Sequence, residues 1–385
     1  MIASGRGRAF VSFAMGCVLL FASCRADTEG DAPILIGYIG ALSGISAAVG
    51  RSEVQGIKLA IDEANERGGL RGGRKLGLVE YDDGADSTKS IILALKLAVR
   101  DDVLLAFATN NSHTALADLP VFAKARMAQV TSVLNADITS RRSAYIFRDC
   151  SAGPIYETTL VDYLFKKGFR RFALISDMTA YGKGEADYQQ AALRRDGVDG
   201  LIRESYVAGD ADYSRQLEEI LALNPDAILL GGLAVDSGLI ALQARRLGYK
   251  GQIAGGVSVG TPEFIKVAGA AADEAIFASA YIDGESAMER DFARRYKAKW
   301  GEEPESHGVE AYDGMMMAIE AIKRSAGALT RDEIARQLHA TRGYQGLQGA
   351  FTFQNNGEGI SRARVGIIER GRLTAVEDSV ERPRS

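Results

Sequence analysis

From residue 34 onward the chain alternates two hydrophobic patterns. Short apolar runs bounded by glycine read as buried strands, and segments with apolar positions every three to four residues read as helices. Residues 34–39 form the first such run. Val54, Ile57, Ile61 and Ala64 then recur at helical spacing and predict a helix over about 50–67, stopped by the glycine-rich stretch 68–73. Strands follow at 76–81, 103–108 and 129–132, with helices over 87–98, where Ser87 is a candidate cap, and 113–123. A second series begins at 155–167, a helix with Tyr156, Leu160, Tyr163 and Leu164 on one face. Strands are expected at 172–176, 202–206, 227–231 and 252–257, with helices over 188–196, 213–223 and 239–247. Further helices cover 287–300, 309–325 and 330–338, the last with Thr330 as cap and Glu333 at the capping-box position. Strands at 351–353 and 364–369 close the chain. Such alternation predicts an α/β fold with parallel sheets covered by helices, and two consecutive series predict two lobes.

The first residues follow a different rule. Arg6 and Arg8 precede an uncharged apolar stretch over 9–23 that ends Phe21-Ala22-Ser23-Cys24. This is the pattern of an export signal. It resembles the lipobox of bacterial lipoproteins, which implies removal of residues 1–23 and acylation of Cys24; the alternative is an ordinary secretory signal. Residues 24–32 are polar and read as a tether, and 377–385 as a C-terminal tail.

Composition narrows the function. With 385 residues the chain exceeds one ordinary domain. A net charge of -4 without a basic run argues against nucleic-acid binding. Three cysteines (17, 24 and 150) make no disulfide framework, and Cys150 reads as a buried structural thiol. Three histidines and no metal-ligand spacing leave no metal or cofactor site to propose. Gly37, Gly40 and Gly44 lack the dinucleotide-binding spacing. Residues 256–260 spell GxSxG, with Ser258 as nucleophile and Asp313 with His307 or His339 as conceivable partners, which keeps a serine hydrolase as an alternative.

Several segments together resemble the periplasmic leucine/isoleucine/valine-binding protein family, the type I solute-binding proteins of ABC transporters. They are IGYIGALSG (36–44), GIKLAIDEANERGGLRGGRKLGLVEYDDGAD (56–86), YIFRD (145–149), ALISDMTAYGKG (173–184), GDADYSRQLEEI (209–220), PDAILLGG (225–232) and EAYDGMMMAIEAI (310–322). The resemblance implies two Rossmann-like lobes joined by three hinge crossings. Lobe one would comprise 33–148 plus 281–353, and lobe two 149–280 plus 354–376. It also implies a monomer with no catalytic activity that delivers a small solute to ABC permease subunits and touches the membrane only through its lipid anchor. A ligand sensor of the same fold without a permease is the competing reading.

Ligands of open α/β sheets bind beyond the carboxyl ends of the strands. Those ends are expected at 109–112, 132–135, 177–182, 233–236 and 257–260. By resemblance, Ser112 holds a ligand carboxylate at a helix start beside Asn111; capping that helix is its bland alternative. Val133 offers backbone groups, Asn135 falls at a ligand-binding threonine position, and Tyr181 covers the ligand from lobe two. Three positions depart from the family's amino-acid binders. Val257 replaces the acid that pairs the ligand ammonium, and Val49 and Leu233 stand where aromatic rings line the cleft. Either Asp177, Asp236 or another acid substitutes, or the ligand is an organic acid without an ammonium. Ala85 and Asn111 replace the cysteines of the family's small disulfide.

Overall fold

The computed structural model describes residues 32–108, 111–282 and 286–376. The signal, most of the tether, Thr109, Asn110 and the tail lie outside the described residues. The first series runs β1 (Ile34–Gly40), α1 (Ala47–Glu66), β2 (Leu76–Asp82), α2 (Ser87–Val99), β3 (Ala106–Ala108), α3 (Ser112–Lys124), β4 (Gln129–Thr131), α4 (Asp137–Ser140) and β5 (Ile146–Arg148). Its strands form one parallel sheet in the order β2-β1-β3-β4-β5.

The second series runs α5 (Gly153–Lys166), β6 (Phe172–Asp177), α6 (Ala180–Arg195), β7 (Ile202–Tyr206), α7 (Ser214–Ala222), β8 (Ala227–Gly231), α8 (Ala234–Arg246), β9 (Gln252–Gly255), α9 (Pro262–Ala268) and β10 (Ile276–Ser279). The chain then forms α10 (Ala287–Trp300), α11 (Ser306–Arg324), α12 (Arg331–His339) and a small hairpin of β11 (Tyr344–Gln345) with β12 (Ala350–Phe351). It ends in β13 (Arg364–Glu369) and β14 (Arg372–Ala375). The second sheet has the order β14-β13-β10-β9-β8-β6-β7, parallel except for the last two strands of the chain.

Packing explains why the late segments separate. Ile36, Tyr38, Phe107 and Val130 of the first sheet share one core with Ile57 and Ile61 of α1 and with Met315 and Ile319 of α11. In contrast, Val365 and Ile368 of β13 join the cores of the second sheet. The chain therefore returns to the first sheet after β10 and to the second after β12. Helix α1 meets α11 through glycines: a Cβ on Gly56 would lie 2.0 Å from the carbonyl oxygen of Gly308. We expect Gly56→Ala to cost about 1–3 kcal/mol by overpacking, read as a lower urea midpoint. Gly327→Ala, with open space around it, should leave that midpoint unchanged.

The structure corrects several local expectations. Helix α6 starts at Ala180 and α8 at Ala234, earlier than the expected 188 and 239, so much of 177–182 and 233–236, expected as strand ends, is first helical turn. Their opening residues carry no apolar repeat to announce a helix. Asp86, not Ser87, caps α2, accepting from the Lys89 amide at 2.9 Å. Thr330 does cap α12, but the Glu333 carboxylate turns to Arg336 and Gln337 and completes no capping box. Strands β5, β10 and β14 were not expected from the sequence pattern, although β3, β4 and β9, which are no longer than β10, were.

Candidate ligand-binding cleft

Both parallel sheets direct their strand ends toward a common region, and helices begin there. At the rim of the first lobe Asn111 occupies the N-cap position of α3 in an extended conformation, and its side-chain carbonyl, instead of capping the helix, accepts from the Ser46 hydroxyl at 3.2 Å. Ser112 is the first residue of the helix, so capping is not its role; it is buried at the α3 N-terminus. Free N–H groups and the helix dipole make that position favourable for an anion.

After β4 the chain passes through Val133, Leu134 and Asn135. Their carbonyls are tied down: Arg148 donates to Val133 and, at 3.0 Å, to Asn135, and the Gly153 amide donates to Leu134 at 2.8 Å. Side chains of this loop region reach the second lobe. Asn135 Nδ2 donates to the Ala180 carbonyl at 3.1 Å, and the Ala136 amide donates to the Tyr188 hydroxyl at 2.9 Å. Residues 135 and 136 thus meet the face of α6 that carries Tyr181.

Tyr181 is half-buried in the first turn of α6, and burial pushes its hydroxyl well above the ordinary tyrosine range. It packs on an apolar cluster that contains Leu134, Cys150, Tyr156 and Val257. Val257 is 1% exposed, a member of this core beneath the cleft. Leu233 is the N-cap residue of α8 and half-buried. The structure thus brings Asn135, Tyr181 and Val257 to one junction, with Asn111 and Ser112 at the start of α3.

The two acids expected as substitutes for Val257 differ. Asp236 is spent, accepting from the Gly209 amide at 3.1 Å and the Tyr213 hydroxyl at 3.0 Å. Asp177 gives one oxygen to Thr179, while the other, Oδ2, is buried without a hydrogen-bond partner. Two acids that sequence reasoning missed lie closer to Gly256. Glu157 of α5 and Glu185 of α6 are fully buried, and a Cβ on Gly256 would lie 2.4 Å from one and 2.6 Å from the other. Burial raises Glu157 to about 7, and burial with the neighbouring Glu157 carboxyl pushes Glu185 well above the carboxylate range. A signal was present. Glu157 precedes Leu160, Val161 and Leu164 at inward-facing helical spacing.

A second acidic group sits in the first lobe beside a cavity of about 10 Å³ lined by Tyr38, Glu53, Phe107, Thr131 and Ser132. Tyr38 donates to Glu53 at 2.8 Å, and burial raises Glu53 to about 8. His307 pairs with Glu305 at 3.0 Å. Burial alone would lower its affinity for protons, but Glu305, Glu310 and Glu53 outweigh that and hold it at about 10.

These partners also dispose of the hydrolase alternative. Asp313 accepts from the Leu347 and Gln348 amides at 2.9 and 3.0 Å. His307 is held by Glu305, and His339 bonds the Ala144 carbonyl at 3.0 Å. None of the three is bonded to Ser258, so the GxSxG stretch is a turn between β9 and α9.

Two α/β lobes with helix starts and buried polar groups gathered at their junction define a solute-binding protein rather than an enzyme. A family model described as periplasmic binding protein matches residues 33–372, and the chain belongs to that family. It is 27% identical over 361 residues to the Leu/Ile/Val-binding protein BraC3 of Rhizobium johnstonii, covering 93% of this chain and 98% of that protein. Among solved structures, the leucine binding protein LivK of Thermotoga maritima superposes with a TM-score of 0.82 at 27% identity, covering 89% of this chain and 97% of that one. The substrate-binding protein LivJ of Streptococcus pneumoniae, solved with isoleucine, gives 0.82 at 26% identity, covering 89% and 99%.

Proposed function

We propose that this protein is the extracytoplasmic substrate-binding component of an ABC transporter, capturing a small amino acid-like or organic acid solute between its lobes. In this reading Ser112 and the α3 N-terminus hold the solute's carboxylate, and Tyr181 closes over it from α6. Asn135 joins the two walls. Residues 1–23 direct export, Cys24 carries the lipid anchor, and the loaded protein docks as a monomer on permease subunits. The observation that carries the reading is the bonding of residues 135 and 136 to α6 beside Tyr181; in this reading a hinge motion makes that contact on closure and breaks it on opening. The relatives' names and the isoleucine complex support an amino acid, whereas Val257 at the family's acidic position supports a plain organic acid.

Thermal unfolding against a panel of amino acids and organic acids tests the proposal. A bound solute at about 100 times its Kd stabilises the folded state by about 2.7 kcal/mol, which moves the melting temperature by several degrees. A panel without a single stabilising member would refute solute capture of this class.

A further inference from the structure

We infer that a pocket at the far end of the first lobe from the cleft binds a phosphate group. Residues 142, 342 and 352–356 line a volume of about 540 Å³ there, within the range of small-molecule sites. Three separate segments build its walls. Arg142 follows α4, Arg342 follows α12, and 352–356 is the stretch that leaves β12 for the second lobe. Arg142 stands four residues before β5, at the end of that strand opposite the cleft. The pocket shares no residue with the cleft, so its occupant and the solute do not compete.

The polar side chains of this pocket have spent their acceptors on the protein and kept their donors. Asn356 Oδ1 accepts from the Glu358 amide at 3.2 Å, which fixes the orientation of the side chain and leaves its Nδ2 hydrogens to donate. The Thr352 hydroxyl oxygen accepts from the Gly343 amide at 2.9 Å and keeps its own proton. Arg342 is anchored through one nitrogen. Its Nη1 donates to the carbonyls of His339, Thr341 and Phe353 at 2.6, 2.8 and 3.1 Å, so Nε and Nη2 retain three N–H groups. Among the described residues the Arg142 side chain makes no hydrogen bond, and neither arginine is in an ion pair. No acid lines the pocket.

A concave wall with charges of one sign concentrates ions of the other. Two guanidiniums without a carboxylate partner, flanked by an amide and a hydroxyl that can donate, select an anion. The kind of anion follows from the layout. The donors come from three segments, and a phosphate group accepts from three sides, whereas a carboxylate offers two oxygens in one plane. Guanidinium also matches phosphate through paired N–H bonds. The volume leaves room for an organic group beside the phosphate, so the occupant is a soluble phosphate ester or a phospholipid headgroup.

Equilibrium dialysis with radiolabelled inorganic phosphate, in chloride buffer of fixed ionic strength, tests the site on wild type, Arg142→Gln and Asn356→Asp. Wild type should bind phosphate saturably. Arg142→Gln removes a charged donor and should weaken binding about tenfold or more. Asn356→Asp keeps the acceptor for the Glu358 amide but replaces the donor with a charged oxygen, and should abolish binding. Both variants should melt at the wild-type temperature in phosphate-free buffer, so that lost binding is not lost fold. Displacement of the label by glycerol 3-phosphate assigns a soluble ester as the occupant, and displacement by phosphatidylglycerol vesicles alone assigns a lipid surface; the site stands in either case. No saturable binding to wild type, or equal binding to all three proteins, overturns it.

Discussion

Arg148→Ala should destabilise the protein by about 3–5 kcal/mol, the usual consequence of breaking a buried ion pair, and abolish solute binding at the same time. Arg148 has no exposed side-chain surface. Its guanidinium binds the carbonyls of Val133 and Asn135 and the Thr139 hydroxyl, and pairs with Glu358 at 3.2 Å. The Thr139 hydroxyl in turn donates to Glu358 at 2.5 Å, and the Arg148 amide donates to Gly357 at 2.9 Å. One side chain thus fixes the loop after β4, which carries Val133 and Asn135, to the segment that crosses back to the second lobe. Arg148→Lys should also fail, since one ammonium cannot serve these divergent acceptors. Urea unfolding and solute titration on both variants check this; a lysine variant of wild-type stability and affinity would show that Arg148 is no clamp.

The ligand-free protein should be more stable at pH 5 than at pH 8, with a melting temperature higher by on the order of 10 °C. The sign follows from which state holds protons. Burial raises Glu53 to about 8, Asp149 and Glu157 to about 7, and Asp313 to about 6. In the unfolded chain these carboxyls release their protons near pH 4 to 4.5. Between that range and pH 8 the folded state therefore binds more protons, and stability falls as pH rises. Each such proton is worth about 1.4 kcal/mol per pH unit. His307 acts in the same direction, because its folded value near 10 exceeds the unfolded 6.5 and its contribution is lost above neutrality. A melting temperature that is flat or rises from pH 5 to pH 8 would mean that these acids are not held protonated.

The fold was legible because each sheet core is written as local patterns. Residues 34–39, 172–176 and 227–231 are uninterrupted apolar runs, and all form strands with buried centres. Helix starts at the cleft were not legible. Ala180 to Gly184 and Ala234 to Ser237 are short, mostly small or polar residues whose helical state depends on strand ends that lie far away in sequence. Ser112 and Tyr181 could be placed by resemblance, and Tyr181 does sit beside the residues that join the lobes. Glu157 and Glu185 were hidden for a different reason. They are 28 residues apart on separate helices, and only the packing of α5 against α6 shows that two carboxyls share one space. The resemblance drew attention to Val257, which is a core residue, and gave no hint that two buried acids lie beside the adjacent Gly256.

Titration calorimetry of the stabilising solute against wild type, Ser112→Ala and Tyr181→Ala tests the central claim, capture between the two lobes, most directly. Loss of a charge-assisted hydrogen bond or of an aromatic cover should weaken binding about tenfold or more in each variant, with the melting temperature of the solute-free protein lowered in Tyr181→Ala, whose ring packs on the apolar cluster. Affinities equal to wild type in both variants would place the solute elsewhere on the molecule and contradict the account.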